Sequence, residues 1–161
     1  MGGSYLNYGI TAWGNCATTT LGKVQTSQNK VIRSITSTPW DESVAHEFKI
    51  HQIMSVKQIY TFEVAKFMYN TGHLRNPDAF QNYFPLLPHT YSTNYREAAQ
   101  FSVPQPRTDL GERSISYDGV KIWKKIPSTI KHLTNYMTFK QKLKEFIFVK
   151  DIEWWFTSNT R

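Results

Sequence analysis

The 161-residue chain has a single cysteine, Cys16, and no long apolar run. One cysteine cannot form an intramolecular disulfide, and it cannot supply the paired thiolates of a typical zinc site. No apolar stretch approaches the roughly 18–20 residues that a membrane helix needs. The first ten residues, MGGSYLNYGI, lack the basic and apolar regions of a signal peptide. We therefore expect an intracellular protein, nuclear or cytoplasmic, with no membrane partner.

Sequence motifs for catalysis and for cofactor binding are also missing. The chain contains no GxGxxG, GxxxxGK[ST], HExxH or GxSxG. No two aspartates are adjacent, although metal-dependent phosphoryl transfer usually requires paired carboxylates. His46 and His51 are five residues apart, a spacing that does not stack two ligands on one helix face. We expect no catalytic residue, no metal, no cofactor and no small-molecule substrate.

Aromatic residues are plentiful and charged residues are few. The chain is 40% hydrophobic, 15% aromatic and 19% charged, and this composition favours a folded core over disorder. The length predicts one domain, or one domain and a tail. The net charge is +7, with a net +6 in residues 107–150 and only +2 in residues 1–106. A basic C-terminal third suits a polyanion such as nucleic acid, but charge alone favours a solvated lysine-rich face kept for solubility.

The first helical segment predicted from the periodicity runs from Leu21 to Ile35. Lys23, Lys30 and Arg33 lie on one arc of this helix, so the helix is amphipathic with a basic outer stripe. It should end before Pro39, because proline cannot continue the hydrogen-bond ladder. The opposite arc holds Leu21, Val24, Gln28, Val31, Ile32 and Ile35.

The second helical segment begins near Ser43 and is predicted to break around His51. After the break, Ser55 has the character of an N-cap residue, with Gln58 three residues later as its capping-box partner. Helical spacing of apolar residues then continues as far as Gly72, which suits a helix C-terminus. We therefore expect a short helix, a break and a longer capped helix.

The remainder of the chain is predicted to be less regular. Residues 73–113 hold five of the seven prolines, which indicates a long irregular segment. Residues 114–117 are compatible with a short strand closed by a turn at Asp118-Gly119, giving one small β-hairpin. A short helix follows Pro127, and a third helical segment runs from about Thr138 to Lys150. The fold is therefore predicted to be mainly α, with four to six helices, a long proline-rich irregular middle and the small hairpin.

Six short motifs follow one another along the chain. They are YGITAWGN at residues 8–15, VQTSQNKVIR at 24–33, FEVAKFMY at 62–69, RTDLGERSISY at 107–117, IWKKIP at 122–127 and FKQKLK at 139–144. In order and spacing they resemble the elements YGIxxWGN, LQxxQNKxIR, FExAKFMY, RTxxGxxSIxY, IWxxIP and FKxxLK of jockey-like non-LTR retrotransposon reverse transcriptases. The resemblance covers about residues 5–148, nearly the whole chain.

The resemblance implies a part of a polymerase rather than a whole one. In this family the fingers, the palm and the paired catalytic aspartates lie before the YGIxxWGN element. The chain would therefore be the C-terminal, thumb and post-thumb fragment of an RNA-directed DNA polymerase, not catalytic by itself, with the missing palm and fingers as a candidate partner. Its segments would be a thumb-like helical part (1–72), a proline-rich segment (73–113), a basic helical part (114–150) and an aromatic tail (151–161).

The expected nucleic-acid partners are the RNA and DNA of the template–primer, held by their backbone. A thumb helix lies along this duplex and contacts phosphates without reading the sequence. The family's HxYxTR element appears as HTYSTN at residues 89–94, so its arginine contact is either lost or supplied by Arg96. The expected binding residues are Lys23, Lys30, Arg33, Arg96, Arg107, Arg113, Lys121, Lys124 and Lys125.

Two further points stay open at the level of sequence. Tyr91, Tyr95 and Trp123 are candidate platforms for base stacking, although each is more readily explained as a core residue. The chain as a whole is alternatively a non-catalytic protein-interaction module, or the inactive relic of a mobile element, with an apolar partner surface and no useful affinity for nucleic acid. Salt dependence separates these alternatives, because only phosphate-dominated binding falls steeply with ionic strength.

Overall fold

A computed structural model describes residues 9–73, 75–77, 80, 84 and 101–149. These residues form eight α-helices and contain no strand or sheet. The prediction of a mainly α fold is therefore confirmed. The expected number of four to six helices is too low, because helices of only four residues, such as Ile10–Trp13 and Asp109–Glu112, are too short to show a periodic pattern. The helices are α1 (Ile10–Trp13), α2 (Thr18–Thr36), α3 (Ala45–Ile50), α4 (Val56–Gly72), α5 (Asp109–Glu112), α6 (Ile115–Lys125), α7 (Ser128–Lys131) and α8 (Tyr136–Val149).

The break between α3 and α4 lies where the sequence predicts it. Helix α3 ends at Ile50 and α4 begins at Val56. The backbone N–H of Ser55 donates to Oε1 of Gln58 at 2.9 Å, and the backbone N–H of Gln58 donates to Oγ of Ser55 at 3.3 Å. These reciprocal bonds are the predicted capping box, and they satisfy two backbone donors at the start of α4.

The predicted strand at residues 114–117 and its hairpin turn are wrong, because residues 115–125 form helix α6. Helical spacing here buries four residues on one side, an arrangement that outweighs the turn preference of the Asp118-Gly119 pair. Gly119 also allows α6 to approach α4 closely. A Cβ on Gly119 would lie 3.2 Å from Sδ of Met68. The four buried residues are Gly119, Val120, Ile122 and Trp123.

The apolar arc predicted for α2 is only partly buried. Leu21 and Ile32 are buried, whereas Val31 is 57% exposed and Ile35 is 73% exposed. Val31 lies about 100° from Ile32 around the helix, so packing centred on Leu21 and Ile32 leaves that flank uncovered by the described residues. The arc is therefore wider than the face that packs.

The chain forms two compact units. The first unit contains the described residues as far as Phe62 together with those from Lys144 onward, and the second contains Glu63–Leu143. Helices α4 and α8 each contribute residues to both units. The four segments expected from the sequence, with boundaries at 72, 113 and 150, stay predictions.

The core of the second unit is an aromatic cluster centred on Tyr69. The Tyr69 side chain is fully buried, and its ring stacks on Phe139 with the centroids 4.0 Å apart. Trp123 is 6% exposed, with its ring centroid 6.4 Å from that of Phe101 and 6.3 Å from that of Phe139. Trp123 is therefore a core residue, which is the explanation that the sequence favours. Its ring has no free face on which a base could stack.

Aromatic residues also attach part of the proline-rich segment to α4. Phe84 and Phe101 are buried, and their ring centroids lie 5.9 Å apart. The Phe67 ring of α4 lies 5.5 Å from the Phe80 ring and 5.7 Å from the Phe84 ring. These aromatic contacts hold the described residues of this segment against α4.

Candidate nucleic-acid interface

Helix α2 carries an exposed basic stripe in the first unit. Its 19 residues include Lys23, Lys30 and Arg33 and no acidic residue. Lys23 and Lys30 are exposed and are separated by seven residues, which places them about 20° apart around the helix and about 10 Å apart along it. Neither lysine ammonium group makes a hydrogen bond or an ion pair with any residue that the structure describes. Their two charges are therefore not neutralised within this part of the protein.

Two glutamines on α2 hold the helix against the segment that leads into α4. Oε1 of Gln25 accepts the backbone N–H of Val56 at 3.0 Å, so Gln25 satisfies a donor in the first turn of α4. Nε2 of Gln28 donates to the backbone carbonyl of Met54 at 2.9 Å. The polar positions of the VQTSQNKVIR motif thus fix the orientation of α2, which keeps Lys23 and Lys30 in solvent.

Arg33 differs from the two lysines because its guanidinium group is engaged within the first unit. Nη2 of Arg33 donates to the backbone carbonyl of Glu42 at 2.6 Å. The guanidinium carbon also lies 5.1 Å from the ring centroid of Trp40. These contacts give Arg33 a structural role in the segment after α2, and they leave fewer of its donors for a phosphate.

A second basic face lies on α6 in the second unit. Lys121, Lys124 and Lys125 share an arc of about 100° opposite the buried residues of the helix. Lys124 is exposed, and Nζ of Lys121 lies 4.2 Å from the ring centroid of Tyr117. Burial lowers the pKa of Lys125, the neighbouring Asp118 opposes that change, and Lys121 adds to it. Since Asp118 supplies an opposing charge, this face is less uniformly basic than α2.

Arg107 and Arg113, two other predicted binding residues, are not part of these two helices. Arg107 precedes α5 and Arg113 follows it, and both are exposed. Arg96, like the stacking candidates Tyr91 and Tyr95, lies outside the described residues. The structure therefore brings together Lys23, Lys30 and Arg33 on one helix, and Lys121, Lys124 and Lys125 on another.

Two residues that take part in contacts between a cationic group and a tryptophan ring, Trp40 and Lys131, were not predicted from the sequence. Trp40 is 72% exposed and lies against Arg33. Lys131 of α7 places Nζ 5.6 Å from the ring centroid of Trp123, and burial lowers its pKa. The sequence shows only that a tryptophan stands between Pro39 and Asp41 in a segment without helical periodicity, and this pattern does not reveal the contact with Arg33.

The first unit also contains a cavity of about 300 Å³ bordered by α2, α3 and the start of α4. Several of the polar groups around it are already bonded, among them Gln25 to Val56 and Ser55 to Gln58.

Within the described ranges, no group of three or more His, Cys, Asp or Glu side chains is arranged to hold a metal ion. None of the helices seen in those ranges has the length and apolarity needed to cross a membrane.

Comparison of the chain with family models, curated proteins and solved structures gives no match. The resemblance to reverse transcriptases therefore rests on the six sequence motifs. Together with the exposed basic faces, these motifs are the basis for a functional proposal.

Proposed function

We propose that the chain is the non-catalytic C-terminal region of a non-LTR retrotransposon RNA-directed DNA polymerase and that it binds the backbone of the template–primer. The observation that carries the proposal is the charge of α2, a 19-residue helix with three basic residues and no acidic residue. Lys23 and Lys30 of this helix are exposed. The six ordered motifs support the assignment to this class of polymerase.

The proposed contact is electrostatic and independent of base sequence. Each lysine that neutralises a phosphate releases condensed counterions, and this release dominates the affinity at low salt. Lys23 and Lys30 are the principal contacts on α2, and Arg33 contributes less because it is bonded to Glu42. The lysines of α6 are a second contact with nucleic acid, weakened by the nearby charge of Asp118.

The partners and the location follow from this assignment. The nucleic acid is the RNA and DNA of the template–primer, and a palm and fingers domain supplies the catalytic aspartates. The protein would then act wherever the element is copied, in the nucleus or the cytoplasm.

The test is a fluorescence-anisotropy titration of a labelled RNA–DNA hybrid at about 50 mM and about 200 mM salt. We expect binding that weakens steeply with salt. The Lys23→Glu/Lys30→Glu double variant should weaken binding at low salt and reduce the slope of log K against log salt by about 2, because two phosphate contacts are lost. The matched control is Lys49→Glu/Lys142→Glu, which makes the same change in net charge at two exposed lysines off the two basic faces.

The outcomes separate specific contacts from net charge. An equal loss in the test and control variants would show that α2 is not the binding face.

A second candidate function, a protein-interaction module, is favoured by the exposure of Val31 and Ile35 on α2. That candidate would replace the first if the wild-type protein is folded by circular dichroism and does not bind the hybrid at low salt.

A further inference from the structure

Trp40 occupies an unusual position for the largest aromatic side chain. The backbone N–H of Glu42 donates to the carbonyl of Pro39 at 3.3 Å, which closes a four-residue turn with Trp40 at its second position. The side chain is 72% exposed. Tryptophan is highly buried on average because it has a large apolar surface, so a ring exposed at the tip of a turn is a candidate contact site.

Arg33 orders both the turn and the ring. Its Nη2 bond to the carbonyl of Glu42 anchors the end of the turn, while its guanidinium carbon lies 5.1 Å from the ring centroid of Trp40. Since Trp40 is 72% exposed with Arg33 against one face of the ring, the opposite face is open to solvent. A ring held in this way loses little further freedom when a planar group stacks on it.

The ring also lies at the end of the basic stripe. Arg33 follows Lys30 by three residues, which is about one turn of helix, and Lys23 lies two turns before Lys30. Asp41 and Glu42 are exposed directly after Trp40 and repel phosphate. A nucleic-acid strand that reaches Trp40 must therefore direct its phosphates toward α2.

We propose that Trp40 is a stacking platform for an unpaired base, and that α2 with Trp40 forms a single-strand binding site. This inference rests on the proposed function and names the class of nucleic acid that this face prefers. A positively charged track beside an exposed aromatic ring is the usual arrangement for single strands, because every base has a face that stacks. Bases within a blunt duplex are already stacked on each other and offer Trp40 only their terminal pair. Arg33 is a positioning residue that holds the ring.

The test compares two labelled probes of about 12 nucleotides, within the roughly 4–16 nucleotides that single-strand sites cover. One is a single-stranded RNA and the other is a blunt RNA–DNA hybrid. Trp40→Ala should weaken binding of the single strand about tenfold and leave the hybrid unchanged, and Trp40→Phe should keep most of the affinity. The salt dependence should not change, since no charge is removed. Ile35→Ala, at an equally exposed apolar position of α2, is the control and should change neither probe.

Arg33→Lys separates positioning from phosphate binding. Lysine keeps the charge but lacks the planar fork that both bonds Glu42 and stacks on the ring. We expect a several-fold loss for the single strand with an unchanged salt slope. The single strand should also quench the tryptophan fluorescence of the wild-type protein more than that of Trp40→Phe.

Failure of the inference differs from failure of the proposed function. If Lys23→Glu/Lys30→Glu weakens both probes and Trp40→Ala weakens neither, the stacking site is overturned and backbone binding stands. If the folded wild-type protein binds neither probe in a salt-dependent way, both proposals are overturned. If Trp40→Ala weakens both probes equally, Trp40 is not selective for unpaired bases and the inference is again overturned.

Discussion

The hydroxyl group of Tyr69 donates a hydrogen bond to the backbone carbonyl oxygen of Leu133, with 2.6 Å between the two oxygen atoms. The carbonyl of Thr134 lies 3.1 Å from the same hydroxyl. Tyr69 belongs to α4, and Leu133 lies between α7 and α8, 64 residues further along the chain. The Tyr69 ring also stacks on Phe139 of α8. One buried side chain therefore joins distant parts of the second unit.

Tyr69→Phe keeps the ring and removes only the hydroxyl. We expect the free energy of unfolding to fall by about 1–2 kcal/mol, because the carbonyls of Leu133 and Thr134 lose a buried donor. Urea denaturation followed by circular dichroism measures this change. Tyr117→Phe, on the partly exposed face of α6, is the control and should change stability by less than about 0.5 kcal/mol. Equal effects of the two variants would contradict the role given to the Tyr69 hydroxyl.

Alkaline pH should act on the same residue. Burial raises the pKa of Tyr69, Arg75 opposes this change and Tyr136 adds to it. Above about pH 10 the unfolded chain releases the phenol proton while the folded protein retains it, so the stability contributed by Tyr69 is present below that pH and falls as pH rises.

The unfolding free energy of the wild type should therefore fall more between about pH 9 and about pH 11 than that of Tyr69→Phe. Burial lowers the pKa of Lys57, Lys125 and Lys131, which gives the opposite pH dependence, but both proteins share that contribution. Parallel pH profiles for the two proteins would rule out the shift at Tyr69.

Gln25→Ala tests the connection between α2 and α4. The substitution removes the acceptor of the Val56 N–H and the donor to Oδ1 of Asn29. We expect a loss of about 1–2 kcal/mol in the free energy of unfolding. Thr26→Ala is the neighbouring control, since Oγ1 of Thr26 bonds only the carbonyl of Gly22 within α2 at 2.8 Å, and it should be close to neutral. Equal losses in the two variants would contradict the role given to Gln25 in joining α2 to α4.

Two glycines provide a matched pair with opposite expected effects. A Cβ on Gly14 would collide with the ring of Tyr60 and lie 2.5 Å from the backbone oxygen of Ile10. Gly14→Ala should therefore destabilise the protein by about 1–3 kcal/mol. Gly22 lies within α2 with nothing within 4 Å of its added Cβ, so Gly22→Ala should stabilise by about 0.5–1 kcal/mol. Thermal denaturation of both variants checks the signs, and a stable Gly14→Ala protein would contradict the close packing of α1.

Local features of the fold were predictable because their partners are close in sequence. The capping box joins Ser55 and Gln58, which are only three residues apart. The identity of these two residues is therefore almost sufficient to predict it. The break near His51 and the end of α2 before Pro39 are equally local. The basic stripe of α2 follows from helical period and charge, and Lys23 and Lys30 are exposed as that period requires.

Features that depend on distant partners were not predictable in the same way. The Arg33 guanidinium group bonds Glu42, nine residues away, and this contact distinguishes it from the lysines on the same stripe. Trp40 is included in the candidate site only because the structure shows its ring in contact with the Arg33 guanidinium group. Neither contact has a signature in periodicity or composition.

By itself, the sequence determined that the protein is helical, where α4 begins, and that α2 carries a basic stripe, because backbone capping and helical period act over a few residues. Tertiary structure decided that residues 115–119 are helical and not a strand and turn. It also decided which flank of α2 is buried. In both cases the free energy of burying side chains such as Ile122, Trp123 and Ile32 against distant parts of the chain exceeds the weaker local preferences.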